Sequence, residues 1–89
     1  MNYKEMSDQQ IEFAVSDALG IPRGDRWCSS WADAGPISHE HGMTTIKLQD
    51  GMWVVISEFI DENSRRFSYT DKNILRAICI VFLMMRGGE

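Results

Sequence analysis

One stretch of this chain restricts its fold more than any other: an apolar run from Ile74 to Met85 in which Arg76 is the only polar residue. A helix that is apolar on all sides must be surrounded by protein or by lipid. About 12 helical residues rise only ~18 Å, whereas the hydrocarbon core of a bilayer is ~30 Å thick. We therefore expect no membrane association and a buried helix over residues 71–86 at the centre of a small soluble domain.

The size, composition and charge of the chain narrow its class. Its 89 residues, 44% hydrophobic and 25% charged, are typical of a globular protein, and we expect one domain over residues 1–89. The net charge is −4, and the nearest approach to a basic patch is Arg65-Arg66, so nucleic acid binding is disfavoured. The N-terminal residues contain no apolar signal region, which indicates a cytoplasmic protein.

The N-terminal part of the chain carries the signals of an amphipathic helix. Ser7 and Gln10 form a capping-box pattern, in which each side chain bonds the backbone N–H of the other residue. Apolar residues then recur at helical spacing until Gly20, a residue type that commonly ends helices. We predict a helix over residues 8–19.

The middle of the chain begins with a long aromatic loop. Residues 21–35 contain two Gly, one Pro and two Trp, and they show no regular periodicity. Pro36 suits the first turn of a helix and Gly42 suits the end of one. A short extra helix is therefore predicted from Pro36 to His41.

A β-hairpin is predicted over residues 43–59. Two runs rich in Thr, Ile, Val and Trp flank Asp50-Gly51, a dipeptide typical of two-residue type I′ turns. This turn predicts a register that pairs Leu48 with Trp53, Ile46 with Val55 and Thr44 with Ser57. The face expected to pack on the helices carries Ile46, Leu48, Trp53 and Val55, and the opposite face carries Thr45, Lys47, Met52, Val54 and Ile56. The predicted fold class is α+β, with two main helices packed on the hairpin and the short extra helix in the connecting loop.

The chain contains no catalytic or metal-binding signature. His39 and His41 would point roughly 200° apart on a helix, whereas zinc-binding pairs on helices are spaced i, i+4. Cys28 with a histidine and Asp33 offers the residue types of a nucleophilic site, but no motif places them together. We expect Cys79 to be an inert core thiol and Cys28 to be the more exposed and more reactive of the two. No catalytic residue, metal or cofactor is predicted.

Two regions suggest contact with another molecule: the aromatic loop and the second face of the hairpin. Trp and Arg are enriched at the centres of protein interfaces. Trp31 also suits a core position against the final helix, and Trp27 is expected either inside or on the surface. The predicted partner-binding residues are Arg23, Arg26, Trp27, Trp31, Met52 and Ile56.

Arg76 is expected to have a structural role. One interpretation is that its guanidinium reaches solvent past the end of the helix while its stem packs. The other is a buried ion pair with Glu58 or Asp33 that ties the hairpin or the loop to the helix. Both interpretations place the side chain at the margin of the core.

Three segments resemble a known family: residues 73–85, Trp-Ala-Asp-Ala-Gly-Pro-Ile at 31–37 and Asp-Ala-Leu-Gly at 17–20. They are similar to the NinX-like small proteins of lambdoid phages and enterobacterial prophages. The resemblance implies a phage or prophage accessory protein in the bacterial cytoplasm and brings no catalytic signature. The expected function is non-enzymatic binding of a host or phage protein. Two alternatives stay open: a homo-oligomer, such as a homodimer, and a small enzyme with Cys28 as its nucleophile.

Overall fold

The computed structural model describes residues 3–24, 26–57 and 67–87. Among these residues, two α-helices precede the strands and a third follows them. These residues form three α-helices and a three-stranded antiparallel sheet of order β1-β2-β3, which confirms the predicted α+β class. In chain order the elements are a 3₁₀ turn (Tyr3–Glu5), α1 (Asp8–Leu19), α2 (Trp31–Glu40), β1 (Thr44–Lys47), β2 (Trp53–Ile56), β3 (Ser68–Asp71) and α3 (Ile74–Gly87). The last part of the predicted hairpin, residues 58–59, lies outside the described residues, as do Asp25 and Arg65-Arg66.

The first predicted helix is confirmed with its caps. The Gln10 N–H donates to Ser7 Oγ (3.2 Å), and the Ser7 N–H donates to Gln10 Oε1 (2.8 Å). Gly20 ends α1 in the left-handed conformation, with a φ of 71° that a side chain would disfavour. The short sequence pattern at each end therefore determines where this helix begins and ends.

Helix α3 lies at the centre of the fold and contacts α1, α2, β2 and β3. Its residues 77–82 are almost completely buried, as the apolar run predicts. The helix begins at Ile74 and not at residue 71, because Ser68–Asp71 forms a third strand and Asn73 Oδ1 accepts from the Leu75 N–H (2.9 Å). None of the helices in the described ranges is both long and apolar enough to cross a bilayer.

Helix α2 begins earlier than the sequence predicts. It spans Trp31–Glu40, and the N–H groups of Asp33 and Ala34 both donate to the Ser30 carbonyl. Pro36 therefore lies inside the helix and not in its first turn. A proline at this depth removes one backbone donor, which the helix tolerates while its buried side chains Ala34 and Ile37 pack on the core.

The loop between β1 and β2 has three residues, so the predicted two-residue turn is wrong. The Leu48 N–H donates to the Met52 carbonyl (2.8 Å), and the Gly51 N–H donates to the Leu48 carbonyl (3.2 Å). Gly51 has a φ of 87°, and the Met52 N–H donates to Asp50 Oδ1 (3.0 Å). A type I turn followed by one left-handed residue is the usual form of a three-residue hairpin loop.

The extra loop residue shifts β1 by one position against β2. Ile46 pairs with Val54 and Thr45 pairs with Val55, so the predicted pairing of Ile46 with Val55 is wrong, as are the pairings of Leu48 with Trp53 and Thr44 with Ser57. Since side chains alternate between the faces of a sheet, a shift of one residue moves every β1 side chain to the other face. Val55 is buried in the core as predicted, but Ile46 and Leu48 lie on the opposite face.

Candidate protein-binding surface

The face of the sheet opposite Val55 carries five apolar residues. We call this surface the outer sheet face, and it consists of Ile46, Leu48, Met52, Val54 and Ile56. Ile46 is 46% exposed and Leu48 is 37% exposed, while the other three are half-buried. Single exposed apolar residues are common on proteins, but a contiguous apolar patch is typical of an interaction surface.

The register of the hairpin builds this surface. Ile46 lies directly opposite Val54, and Leu48 lies opposite Met52 across the loop. The inner side of β1 carries Thr45 and Lys47, and Lys47 Nζ is 5.8 Å from the centre of the Trp53 ring. The register thus brings Ile46 and Leu48 onto the same face as Met52, Val54 and Ile56.

An open groove of about 470 Å³ borders the outer sheet face at Met52. It is lined by Lys4, Met52, Tyr69, Thr70, Asp71 and Lys72. Burial raises the pKa of the Tyr69 phenol, and the charge of Asp71 raises it further, against the opposing effect of Arg76. Lys4 and Lys72 thus place two cationic side chains, and Asp71 one carboxylate, at this border of the apolar surface.

The two tryptophans of the aromatic loop have opposite environments. Trp27 is buried, and its indole N–H donates to Ser16 Oγ on α1 (2.9 Å), so it anchors the loop to the core. Trp31 is 55% exposed, and the expectation that it plugs the core is wrong. Because it occupies the first turn of α2, its ring lies over Gly35, where an added Cβ would be 3.4 Å from the ring. Trp31 therefore has the exposure that a partner-binding residue needs, whereas Trp27 does not.

The two arginines of the loop are exposed but differ in their contacts. Arg23 donates to both oxygens of Asp17 (2.7 and 3.1 Å), and its guanidinium lies 4.7 Å from the centre of the Phe13 ring. The hydrogen bond from Arg23 lowers the pKa of Asp17. The backbone N–H of Arg26 donates to the Asp33 carboxylate (3.2 Å). Arg23 is thus engaged within the protein, and the Arg26 side chain is on the surface beside α2.

Arg76 joins the N-terminal segment to α3. Its guanidinium donates to the carbonyls of Tyr3 (3.0 Å) and Met6, and it forms ion pairs with Asp8 (2.7 Å) and Asp71 (3.3 Å). Burial opposes its charge, but the hydrogen bond and charge of Asp8, with the charge of Asp71, raise its pKa overall. Arg76 therefore forms structural ion pairs, as one interpretation predicts. Asp33 is not one of the partners, and Glu58 lies outside the described residues.

The two cysteines are both buried free thiols. Cys28 is 1% exposed, so the expectation of an exposed, reactive thiol is wrong. Its Sγ donates to the Asp8 carbonyl (3.9 Å), and its backbone N–H donates to Glu12 Oε2 (3.1 Å). A hydrogen bond with Cys28, together with burial, raises the pKa of Cys79. These environments keep both thiols away from solvent.

The two histidines lie near the end of α2. His39 is exposed, whereas the ring of His41 is half-buried with its centre 5.3 Å from that of Phe82. In the ranges that the structure describes, no group of three or more His, Cys, Asp and Glu side chains is placed to hold a metal ion.

The predicted partner-binding residues fall into two separate groups. Met52 and Ile56 lie on the outer sheet face, whereas Arg23, Arg26, Trp27 and Trp31 belong to α2 and the loop before it. Sequence reasoning placed Ile46 and Leu48 on the wrong face of the hairpin. It placed Val54 on the correct face but did not include it among the partner-binding residues. The available signal was Gly51, because a glycine in the third loop position also suits a three-residue hairpin loop.

A family model described as "Bacteriophage P22, NinX" matches residues 26–86. Searches of curated proteins and of solved structures found no match. The matched region covers α2, the three strands and all of α3 except Gly87. It therefore includes the outer sheet face and the buried central helix. Because this region is more than half of the chain, the protein belongs to the NinX family of bacteriophage P22.

Proposed function

We propose that this phage accessory protein is a non-enzymatic protein-binding module of the bacterial host cytoplasm, and that the outer sheet face is its binding surface. The observation that carries the proposal is the exposure of Ile46 and Leu48 beside three further apolar side chains. Leaving such a surface in water costs about 25 cal/mol for each Å² that burial would remove. A partner chain that covers it with apolar side chains recovers this free energy.

The strand order gives the partner a second means of attachment. β1 is an edge strand, and all four of its residues are exposed. An edge strand presents unpaired backbone N–H and C=O groups, which an extended segment of another chain can bond. We therefore propose that the partner contributes a strand to this edge and apolar side chains to the outer sheet face.

The environment of Cys28 supports a non-enzymatic role over the alternative of a cysteine nucleophile. A nucleophilic thiol has to be accessible and easily ionised. Cys28 is buried beneath α1, and its neighbour Cys79 has a raised pKa. A substrate would meet neither sulfur without a rearrangement of the loop.

Site-specific photocrosslinking tests the proposal. A photoreactive amino acid replaces Ile46 in the full chain, which is expressed in phage-infected or lysogenic cells. The matched control places the same group at Gln9, an exposed position on α1. We expect a discrete adduct from position 46 only, with the crosslinked peptide of the partner identified by mass spectrometry.

The identified partner is then purified and titrated against the wild-type protein and against Leu48→Ser. Loss of binding in the variant supports the outer sheet face as the site. Equal adducts from positions 46 and 9, or no adduct from either, would overturn the proposal. Binding that is unchanged by Leu48→Ser would also overturn it.

A further inference from the structure

The backbone of β1 has a defined hydrogen-bond pattern along its free edge. The Leu48 N–H donates to the Met52 carbonyl. Hydrogen-bonded and non-hydrogen-bonded residue pairs alternate along an antiparallel ladder, so the backbone groups of Ile46 and Thr44 also bond toward β2. Thr45 and Lys47 alternate with these residues along β1. Their backbone N–H and C=O groups therefore point away from β2, toward the free edge. An approaching strand must align its own outward groups with these two residues.

We propose that the partner strand is β1 of a second copy of this chain, paired antiparallel about a two-fold axis at Ile46. This inference rests on the proposed function and names the partner of the same surface. The pairing joins two three-stranded sheets into one six-stranded sheet with the two β1 strands at its centre. A two-fold contact of this kind uses the same surface on both copies and closes at the dimer.

The register follows from the requirement that outward-pointing residues pair with each other. With the axis at Ile46, Thr45 of one copy bonds Lys47 of the other, and the two Ile46 side chains meet. An axis at Lys47 would place two ammonium groups directly opposite each other, which is destabilising. An axis at Thr45 would place Met43 opposite Lys47 and lose the contact between the two isoleucines. Only the first register matches both the hydrogen bonds and the side-chain chemistry.

The same register extends the apolar surface. Ile46 is the neighbour of Val54 within one copy, so the dimer has a row of four apolar side chains across its central strands. Ile46 lies at a non-hydrogen-bonded position of the new pair, where the Cα atoms approach to about 4.5 Å. The close approach buries the most exposed residue of the outer sheet face.

The other edge of the sheet does not offer this complementarity. The Ser57 N–H donates to the Phe67 carbonyl (2.7 Å), and by the same alternation Ser68 and Thr70 point their backbone groups away from β2. Their side chains are polar and lie on the outer face of the sheet. A two-fold axis on β3 would bring together the residue between them, Tyr69, which already packs against the core on the inner side, so pairing there would add no apolar contact to the outer sheet face. The comparison assigns self-pairing to β1.

Cysteine crosslinking tests the register. Ile46→Cys places two thiols opposite each other across the axis, within the Cα separation of about 7 Å that a disulfide allows. Thr44→Cys is the matched control on the same strand and face. In the proposed dimer, position 44 of one copy lies opposite position 48 of the other. The two substituted residues would therefore be four residues apart along the strands, roughly 14 Å at about 3.4 Å per residue. Both positions are exposed, so both variants are expected to fold.

We expect mild oxidation to convert Ile46→Cys into a covalent dimer several-fold faster than Thr44→Cys. The native thiols are buried and identical in both variants, so they contribute the same background. Equal rates would overturn the register. A mixture of the two variants that crosslinks position 44 to position 46 would also overturn it, because this pair lies opposite when the axis is at Thr45.

Sedimentation of the wild-type chain tests the association itself. A four-residue edge contact is smaller than the roughly 1,600 Å² of a standard interface, so we expect a weak dimer that grows with concentration. Ile46→Lys should remain monomeric, with an unchanged circular dichroism spectrum. Only monomer at every wild-type concentration would overturn self-pairing, and a crosslinked peptide from a different protein at position 46 would then leave the proposed function standing. No adduct from position 46 would remove both.

Discussion

Replacing Arg76 by Met should strongly destabilise the protein, because this side chain bonds four groups at the margin of the core. Its guanidinium donates to the carbonyls of Tyr3 and Met6 and contacts the carboxylates of Asp8 and Asp71. The Arg76 side chain is only 11% exposed, so water does not replace these contacts while the fold stays intact. Met keeps most of the apolar stem and removes the charge and all donors.

The magnitude follows from the individual contacts. A hydrogen bond from a charged donor contributes about 1.5–3 kcal/mol, so the two carbonyl contacts together amount to about 3–6 kcal/mol. The Asp8 side chain is 60% exposed, and its ion pair therefore adds little. Movement of the N-terminal segment into water would recover part of the loss. We expect the free energy of unfolding to fall by about 3 kcal/mol, a large share of the 5–15 kcal/mol typical of a domain.

Urea unfolding followed by tryptophan fluorescence measures this change. Arg76→Lys keeps the charge but not the planar fork, so its loss should be smaller than that of Arg76→Met. Arg23→Met is the matched control, because its ion pair with Asp17 is solvent-exposed and its loss should lower the free energy of unfolding by at most about 1 kcal/mol. A free energy of unfolding for Arg76→Met that lies within about 1 kcal/mol of the wild-type value would refute the reasoning, since it would mean that these contacts contribute no more than one ordinary hydrogen bond.

Three further predictions follow from particular contacts. Gly51→Ala should lower the free energy of unfolding by about 1–2 kcal/mol, because a side chain is disfavoured at a φ of 87°. Thermal unfolding measures this change, and an unchanged melting temperature would contradict it. Trp27→Phe removes the indole donor to Ser16 and should lower the free energy of unfolding by about 1–2 kcal/mol. In the Trp27→Phe background, Ser16→Ala should lower this free energy much less than it does in the wild-type protein. Additive effects of the two substitutions would argue against the hydrogen bond. The Tyr69 phenol, isolated as the alkaline absorbance difference from Tyr69→Phe, should titrate above its usual pKa of 10.0, and Asp71→Asn should lower that midpoint. Since the folded state then holds this proton longer than the unfolded state, its contribution to stability is complete below the unfolded pKa and is lost as the pH rises through the folded pKa; a midpoint at or below 10.0 would contradict the burial argument.

Local patterns in the sequence were sufficient for α1 and for the buried part of α3. The capping box at Ser7 and the left-handed Gly20 satisfy backbone groups within a few residues, so α1 begins and ends where its sequence predicts. The apolar run around residues 77–82 likewise predicts a central buried helix, because no other environment accepts apolar side chains on all sides. The third strand gave no comparable signal, since Ser68–Asp71 is a short polar segment that becomes a strand only by pairing with β2.

The candidate surface was predicted only in part. Met52 and Ile56 were identified correctly as residues of the outer face, because the alternation along β2 depends on that strand alone. The opposite positions on β1 depend on the length of the loop, and Asp50-Gly51 is compatible with both a two-residue and a three-residue loop. The difference of one residue exchanged Ile46 with Thr45 across the sheet.

The sequence by itself therefore determined the α+β class, the capped first helix and the buried central helix, because these features arise from contacts between near neighbours or from composition. Tertiary structure alone decided on which face of the sheet each side chain of β1 lies, that Trp27 and not Trp31 enters the core, and that Arg76 binds the N-terminal segment. The last two outcomes depend on residues distant in sequence that compete for the same limited volume around α3, whereas the first depends on which of two loop lengths the pairing of β1 with β2 selects. A local pattern contains no information about the result of that competition.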